Sequence, residues 1–245
     1  VTPSDPVPEP QPSQGPFSRS TFRFTTGVRA GEKVAIRAED GEALLSYRSF
    51  ASVVGIVAIV VSALVLVTGA AAVVFLMVEQ RPLPAALALV LSAGFAILIA
   101  MLVPPVNVTL NQDVVPVLLI TQESNVSFPS VTFVVSTPER RVLARLRKRV
   151  WSRLSRNRWD ILTAIDDRPM GYAEEESLSR AFVRKIAGKF NARYQADVRI
   201  HYLDKDVGWI LRRANGEPPD TLTIQGDIDH RVALALATLI VGSEP

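Results

Sequence analysis

Few side chains in this 245-residue chain are spaced for chemistry, and the missing patterns narrow its function first. There is no cysteine, which excludes disulfides, thiolate zinc sites, iron–sulfur clusters and cysteine nucleophiles. No G-x-S-x-G, P-loop, G-x-G-x-x-G or H-E-x-x-H pattern occurs. Asp204, Asp206 and Gly208 begin like a calcium loop, but the third acidic position and the distal glutamate are missing. A β-turn is the expected reading. Asp227, Asp229 and His230 could ligate a metal, yet they precede an apolar run where aspartates cap helices. The expectation is therefore no enzyme, no cofactor, no metal and no small-molecule substrate.

One cluster does stand out. Residues 140–158 hold nine basic side chains and no acid except the bordering Glu139: Arg140, Arg141, Arg145, Arg147, Lys148, Arg149, Arg153, Arg156 and Arg158. So dense a patch attracts anionic lipid headgroups or an acidic protein surface, unless it is merely a solvated charged face. Val142, Leu146, Val150 and Leu154 recur at i+4, so a basic amphipathic helix and a β-hairpin arm both fit. Nucleic acid fits poorly, because 17 acidic residues against 20 basic ones from residue 106 onward dilute any continuous field.

The elements that position these residues divide sharply by composition. Hydrophobic residues make up 48% of the chain, but between Ala51 and Val103 the only charges are Glu79 and Arg81. Segments 51–78 and 83–103 cover roughly 42 and 32 Å as helices, against a hydrocarbon core of ~30 Å. Two transmembrane helices joined by Glu79-Gln-Arg-Pro82 must form a tight hairpin within residues 50–104, with both ends on one side. Lys33, Arg37 and Arg48 outside, against Arg81 in the loop, favour cytoplasmic termini. Arginine supplies 22 of the 27 basic residues, a bias expected of a GC-rich bacterial genome, so the expected location is a bacterial inner membrane.

Neither span contains Asp, Glu, Lys, Arg, His, Asn or Gln, the groups that proton relays, ion pathways and voltage sensors require. Small residues are what the spans offer. Ala88, Ser92, Ala96 and Ala100 repeat at i+4 with Gly94 beside them, while Gly55, Ser62 and Gly69 punctuate the first span. Such a face packs either within the hairpin or against a foreign transmembrane helix.

Residues 1–27 read as a proline-rich extended tail, without the basic start and apolar run of a signal peptide. Residues 28–49 read as a short β-hairpin about Glu39-Asp-Gly-Glu42. Residues 105–245 show strand patterns at Val114–Thr121, Val131–Val135, Trp159–Ala164, Ala196–Tyr202, Val207–Arg212 and Thr221–Gln225. A helix over 228–241 follows, apolar on every side yet only ~15 Å long in its ten-residue apolar run, too short to span a bilayer. Such a helix must be surrounded by protein, so an antiparallel β-barrel-like domain enclosing a C-terminal hydrophobic helix is expected. The fold class is that of an α+β membrane protein, a transmembrane helical hairpin followed by this domain.

Residues 114–241 resemble the tubby carboxy-terminal-like superfamily, particularly its LURP-one-related and phospholipid scramblase-like branches. The resemblance lies in Trp159-Asp-Ile-Leu162 followed by Asp167-Arg-Pro-Met-Gly171, in Gly208-Trp-Ile-Leu211, and in the ending Ile224-Gln-Gly-Asp227 to Asp229-His-Arg-Val-Ala-Leu-Ala-Leu236. It implies lipid-headgroup binding or protein tethering without conserved chemistry. The expected function is a non-catalytic accessory subunit bracing a multi-subunit membrane complex, respiratory or photosynthetic, with other membrane subunits and lipids as partners. The alternative is a scramblase-like protein that handles anionic phospholipid.

Overall fold

The computed structural model describes residues 15–25, 32–48, 53–102, 105–124, 129–149, 157–176, 197–212 and 219–243. Three short strands come first: β1 (Thr21–Phe24), β2 (Lys33–Arg37) and β3 (Ala43–Arg48). Two long helices follow, α1 (Val53–Val78) and α2 (Pro82–Leu102). Then come β4 (Asn107–Gln112), β5 (Val115–Gln122), β6 (Ser130–Ser136), β7 (Val142–Arg149), β8 (Arg158–Leu162) and β9 (Pro169–Glu175). The chain closes with β10 (Val198–Tyr202), β11 (Lys205–Leu211), β12 (Asp220–Ile224) and α3 (His230–Ser243).

All twelve strands form one closed antiparallel barrel in sequence order, sealed where Thr21–Phe24 of β1 pairs with Asp220–Thr223 of β12. Each strand turns alternate residues inward, as a pleat requires. Phe22 and Phe24, Val34 and Ile36, Leu118 and Ile120, Ala144 and Leu146, and Leu222 and Ile224 are all buried. Closure leaves no edge strand to pair with another chain. At Gly171 and Gly208 neighbouring backbones come too close for a side chain. A Cβ at Gly171 would strike the His201 carbonyl oxygen, and one at Gly208 would strike that of Thr223.

The lumen is filled by α3. Every residue from Val232 to Ile240 is at most 5% exposed, and Thr238, the one polar residue among them, donates its hydroxyl to the Leu234 carbonyl. Asp229 starts the helix, its carbonyl accepting from the amides of Val232 and Ala233 while its carboxylate accepts from the Arg231 amide.

The helical hairpin is inserted into the barrel wall between β3 and β4, which themselves pair at Ser46 and Asn111. Its turn has an identifiable cause. Gln80 takes a left-handed φ of 56°, its amide donates to Met77, and the Arg81 amide reaches back to Leu76. That double closure ends α1 in a Schellman motif, and Pro82 starts α2 where no amide donor is needed.

One expectation changes and one open alternative is decided. The barrel is not confined to residues 105–245, because the hairpin over 28–49 supplies β2 and β3, and β1 lies inside the segment read as an extended tail. Four residues, Thr-Phe-Arg-Phe, are too short for a period to register next to six prolines. Residues 140–158 form two strands, not a helix, within the described part: the i+4 spacing there coexists with the period-two burial of Ala144, Leu146 and Lys148. Residues 1–14, the remainder of the tail, lie outside the described residues.

Because Leu236 is wholly enclosed, Leu236→Ala should cost ~2–5 kcal/mol through lost burial and the residual cavity. Leu236→Asp should prevent the barrel from folding, since the charge would have no partner. Denaturant unfolding of the detergent-solubilised chain checks both; an unchanged midpoint would contradict the enclosed helix.

Candidate functional site

Strand directions give the barrel two distinct ends. The end from which α1 and α2 depart, here the hairpin end, carries the C-termini of β3, β5, β7, β9 and β11 and the C-terminus of α3. The opposite end carries the intervening hairpin turns and the α3 N-terminus. Every candidate site can be placed on this axis.

The basic run does not form one patch. Arg140 and Arg141 sit in the β6–β7 turn at the opposite end, where Thr137 and Arg141 close the turn and Arg140 has a φ of 65°. Arg149 and Arg158 lie at the hairpin end, a strand length of roughly 25 Å away. Between them acids from other strands interleave. Arg145 binds Asp167 at 2.8 Å and Glu123 at 3.7 Å. Asp160 sits 4.0 Å from Arg147, 3.6 Å from Arg149 and 3.1 Å from Arg158. The Arg158 guanidinium also stacks 4.1 Å from the Tyr172 ring centroid. Lys148 points into the lumen, its ammonium 4.9 Å from the centre of the Trp159 ring. Arg153 and Arg156 lie outside the described residues. An acid-free stretch of sequence is thus neutralised along the barrel wall by Asp160, Asp167 and Glu123.

The small residues of α2 divide as well. Ala96 is buried, as is Ala85, which the i+4 count omitted, and Ala88 and Ser92 are half-buried. Gly69 of α1 lies directly against Ser92, so a Cβ there would collide with the serine side chain. The face packs the hairpin on itself. Gly94 is instead exposed with open space about it, on the outward side. The side chain of Ala100 and those near Gly55 fall outside the described residues. Most outward side chains of both helices are large and apolar, among them Leu64, Val67, Phe75, Leu87, Leu91 and Phe95, each more than half exposed. The helices' own hydroxyls are satisfied internally, Thr68 on the Leu64 carbonyl and Ser92 on that of Leu89.

The feature missed from sequence is a buried polar cluster in the lumen at the hairpin end. Arg212 and Asp220, 3% and 1% exposed in their side chains, form an ion pair at 3.0 Å. Arg212 also donates to the Ile240 carbonyl at 3.2 Å, satisfying a C-terminal acceptor of α3, and its amide donates to Asp197. Burial beside them pushes the Tyr47 phenol up to about 12, with the Asp220 charge adding to the shift and Arg212 opposing it. The signal was present in Asp220-Thr-Leu-Thr-Ile224, whose alternation puts the aspartate on the same face as Leu222 and Ile224.

Among the described residues, no three His, Asp or Glu side chains come together as a metal site. Asp204 and Asp206 flank the β10–β11 turn, where Asp206 pairs with Arg199 and His201. Asp229 is engaged by Arg231. No protein-family model, curated protein or solved structure matches the chain, and nothing in these comparisons identifies the tubby-like or scramblase-like families.

The raised Tyr47 phenol makes folding favour its protonated form. That contribution is complete below pH 10, the ordinary value, and is lost as pH rises through about 12. The difference corresponds to roughly 2–3 kcal/mol. Tyr47→Phe should therefore flatten the alkaline fall in unfolding midpoint relative to the parent chain, while both behave alike near neutrality.

Proposed function

We propose that this chain is a non-catalytic membrane subunit that braces a larger assembly, with α1 and α2 crossing a bacterial inner membrane and the barrel standing on its cytoplasmic face. The carrying observation is the pair of long apolar helices, whose outward faces expose large apolar side chains such as Val67, Phe75, Leu87 and Leu91. Among the described residues, the connections at the hairpin end hold Arg212, buried against Asp220, and the acids Glu32, Glu123, Glu176 and Asp197. Those at the opposite end (37–43, 112–115, 137–141, 163–168, 203–206 and 225–231) contain six basic and eleven acidic residues.

The exposed strand ends Lys33, Arg48 and Arg149 on the helix side suit a barrel resting on anionic headgroups, where each basic residue contributes ~1 kcal/mol near the surface. Lys33 and Arg48, near the first span in sequence, favour a cytoplasmic barrel. The helices cover ~39 and ~32 Å, enough for a hydrocarbon core of ~30 Å with some tilt. A barrel filled by its own helix offers no lumen for a lipid, which favours anchorage over lipid transport. A partner helix would meet the outward face of α2, where Gly94 leaves room for close backbone approach.

Two experiments test this. Cysteines placed at Gln80 and Val114 should react with impermeant reagents from opposite sides of the membrane; labelling from one side would refute the crossing. In mild detergent the chain should co-purify with other membrane subunits at fixed stoichiometry, and Gly94→Leu should lower that retention severalfold by blocking the outward face. A chain that purifies alone would overturn the bracing role.

A further inference from the structure

We propose that the end of the barrel opposite α1 and α2 is a docking surface for a protein segment that is both basic and apolar. Outside α1 and α2, every exposed large apolar side chain among the described residues lies at this end: Val114, Val115, Val142, Ile165 and Leu203. They occupy four successive hairpin turns, β4–β5, β6–β7, β8–β9 and β10–β11. Ile165 is 93% exposed and Val114 90%, although turn tips ordinarily carry Gly, Asn, Asp or Ser. Exposed apolar tips on four successive turns, set among charged residues, point to an interaction site.

Leu203 sharpens the point. It holds a φ of 47° and Asp204 one of 60°, the left-handed pair of a tight hairpin turn that favours asparagine and glycine. A leucine there works against its backbone and is 65% exposed, so the turn gains nothing from its side chain within the fold. Beside it opens a cavity of about 490 Å³, in the range of ordinary ligand pockets. Leu143, Ile165, Met170, Ile228 and Val232 supply its apolar walls, with the carboxylates of Asp166 and Asp229 at its lining.

Charge selects the occupant. Eleven acidic residues in the turns of this end, against six basic ones and the adjoining Arg19 that pairs with Asp40 and Glu42, favour a cationic segment. The described chain begins at this end, where the Phe17 carbonyl bonds His230, but the preceding residues 1–14 carry Asp5 and Glu9 and no basic residue. A second copy presenting the same acidic end is disfavoured for the same reason. The surface does not depend on whether α1 and α2 hold a partner within the membrane.

The test uses the full chain in non-ionic detergent and a fluorescent synthetic peptide of alternating leucine and lysine. Saturable binding is expected, weakening with salt and falling roughly tenfold when Ile165→Ser and Leu203→Ser are combined, a loss of about 1.4 kcal/mol. Both positions are exposed, so the variant should keep the parent's unfolding midpoint. A peptide with glutamate in place of lysine should not bind. Three results would overturn the proposal: no saturable binding, equal affinity for the glutamate peptide or for a peptide of residues 1–14, or an affinity unchanged by the serine pair. Self-association of the chain that the serine pair abolishes would assign the surface to a second copy instead. Retention of membrane subunits is unaffected by either serine, so this surface and the bracing role fail separately.

Discussion

Nine consecutive residues of α3 lie out of solvent, and the rest of the domain is organised around keeping them there. A helix this short is marginal in water even with favourable residues, because few hydrogen bonds offset the cost of its first turn. Its formation must come from the walls around it, each buried leucine contributing ~1.5–3 kcal/mol. Twelve strands closed into a barrel provide a lumen that a helix of ~10 Å diameter can fill. Filling demands that every strand present apolar residues inward over the helix's length, which is why Phe22, Ile36, Leu118, Leu146 and Leu222 share one core with Leu234, Leu236 and Leu239. Polar groups can enter only at the ends. Asp229 meets the amides at one end, and Arg212 meets a carbonyl at the other while paired to Asp220.

The same enclosure explains how a helical hairpin can be inserted into the barrel without breaking it. An antiparallel helix pair returns the chain to the point from which it left, so β3 and β4 remain neighbours despite the long excursion between them. The contact of Gly69 with Ser92 and the burial of Ala85 and Ala96 hold the two helices close enough for that return. Two covalent connections, rather than one, then tie the same end of the barrel to the helices. That fixes which end faces the helix pair far more firmly than a single flexible linker could.

Much of this was legible in the sequence where one strong pattern acts alone. The charge-free spans, the short helix with no polar face and the β2–β3 turn at Gly41 all appear where periodicity or composition placed them. The unread parts are those in which two constraints share the same residues. In β7 the spacing of Val142, Leu146 and Val150 fits a helix as well as a strand, and only pairing with β6 and β8 decides between them. β1 is too short to show a period and is specified by its partner β12, about 200 residues away. The Arg212–Asp220 pair was hidden for a different reason. Neither residue is unusual locally, and their burial together depends on α3 ending between them.

The spatial sorting of charge is the feature a linear reading was least able to supply. An arginine-rich run looks like a patch when its neighbours in sequence are counted, but Asp160, Asp167 and Glu123 arrive from other strands and neutralise the wall. What survives among the described turns is an acidic excess at the end away from the helices, with the strand ends Lys33, Arg48 and Arg149 at the other. Eight residues of β7 at the tilt usual for barrel strands separate those ends by about 20 Å along the axis. The screening length at physiological salt is ~8 Å, so each end acts on its own surroundings almost independently of the other. The acidic, apolar-tipped end can therefore keep its own field, without cancellation by the basic strand ends beside the helices.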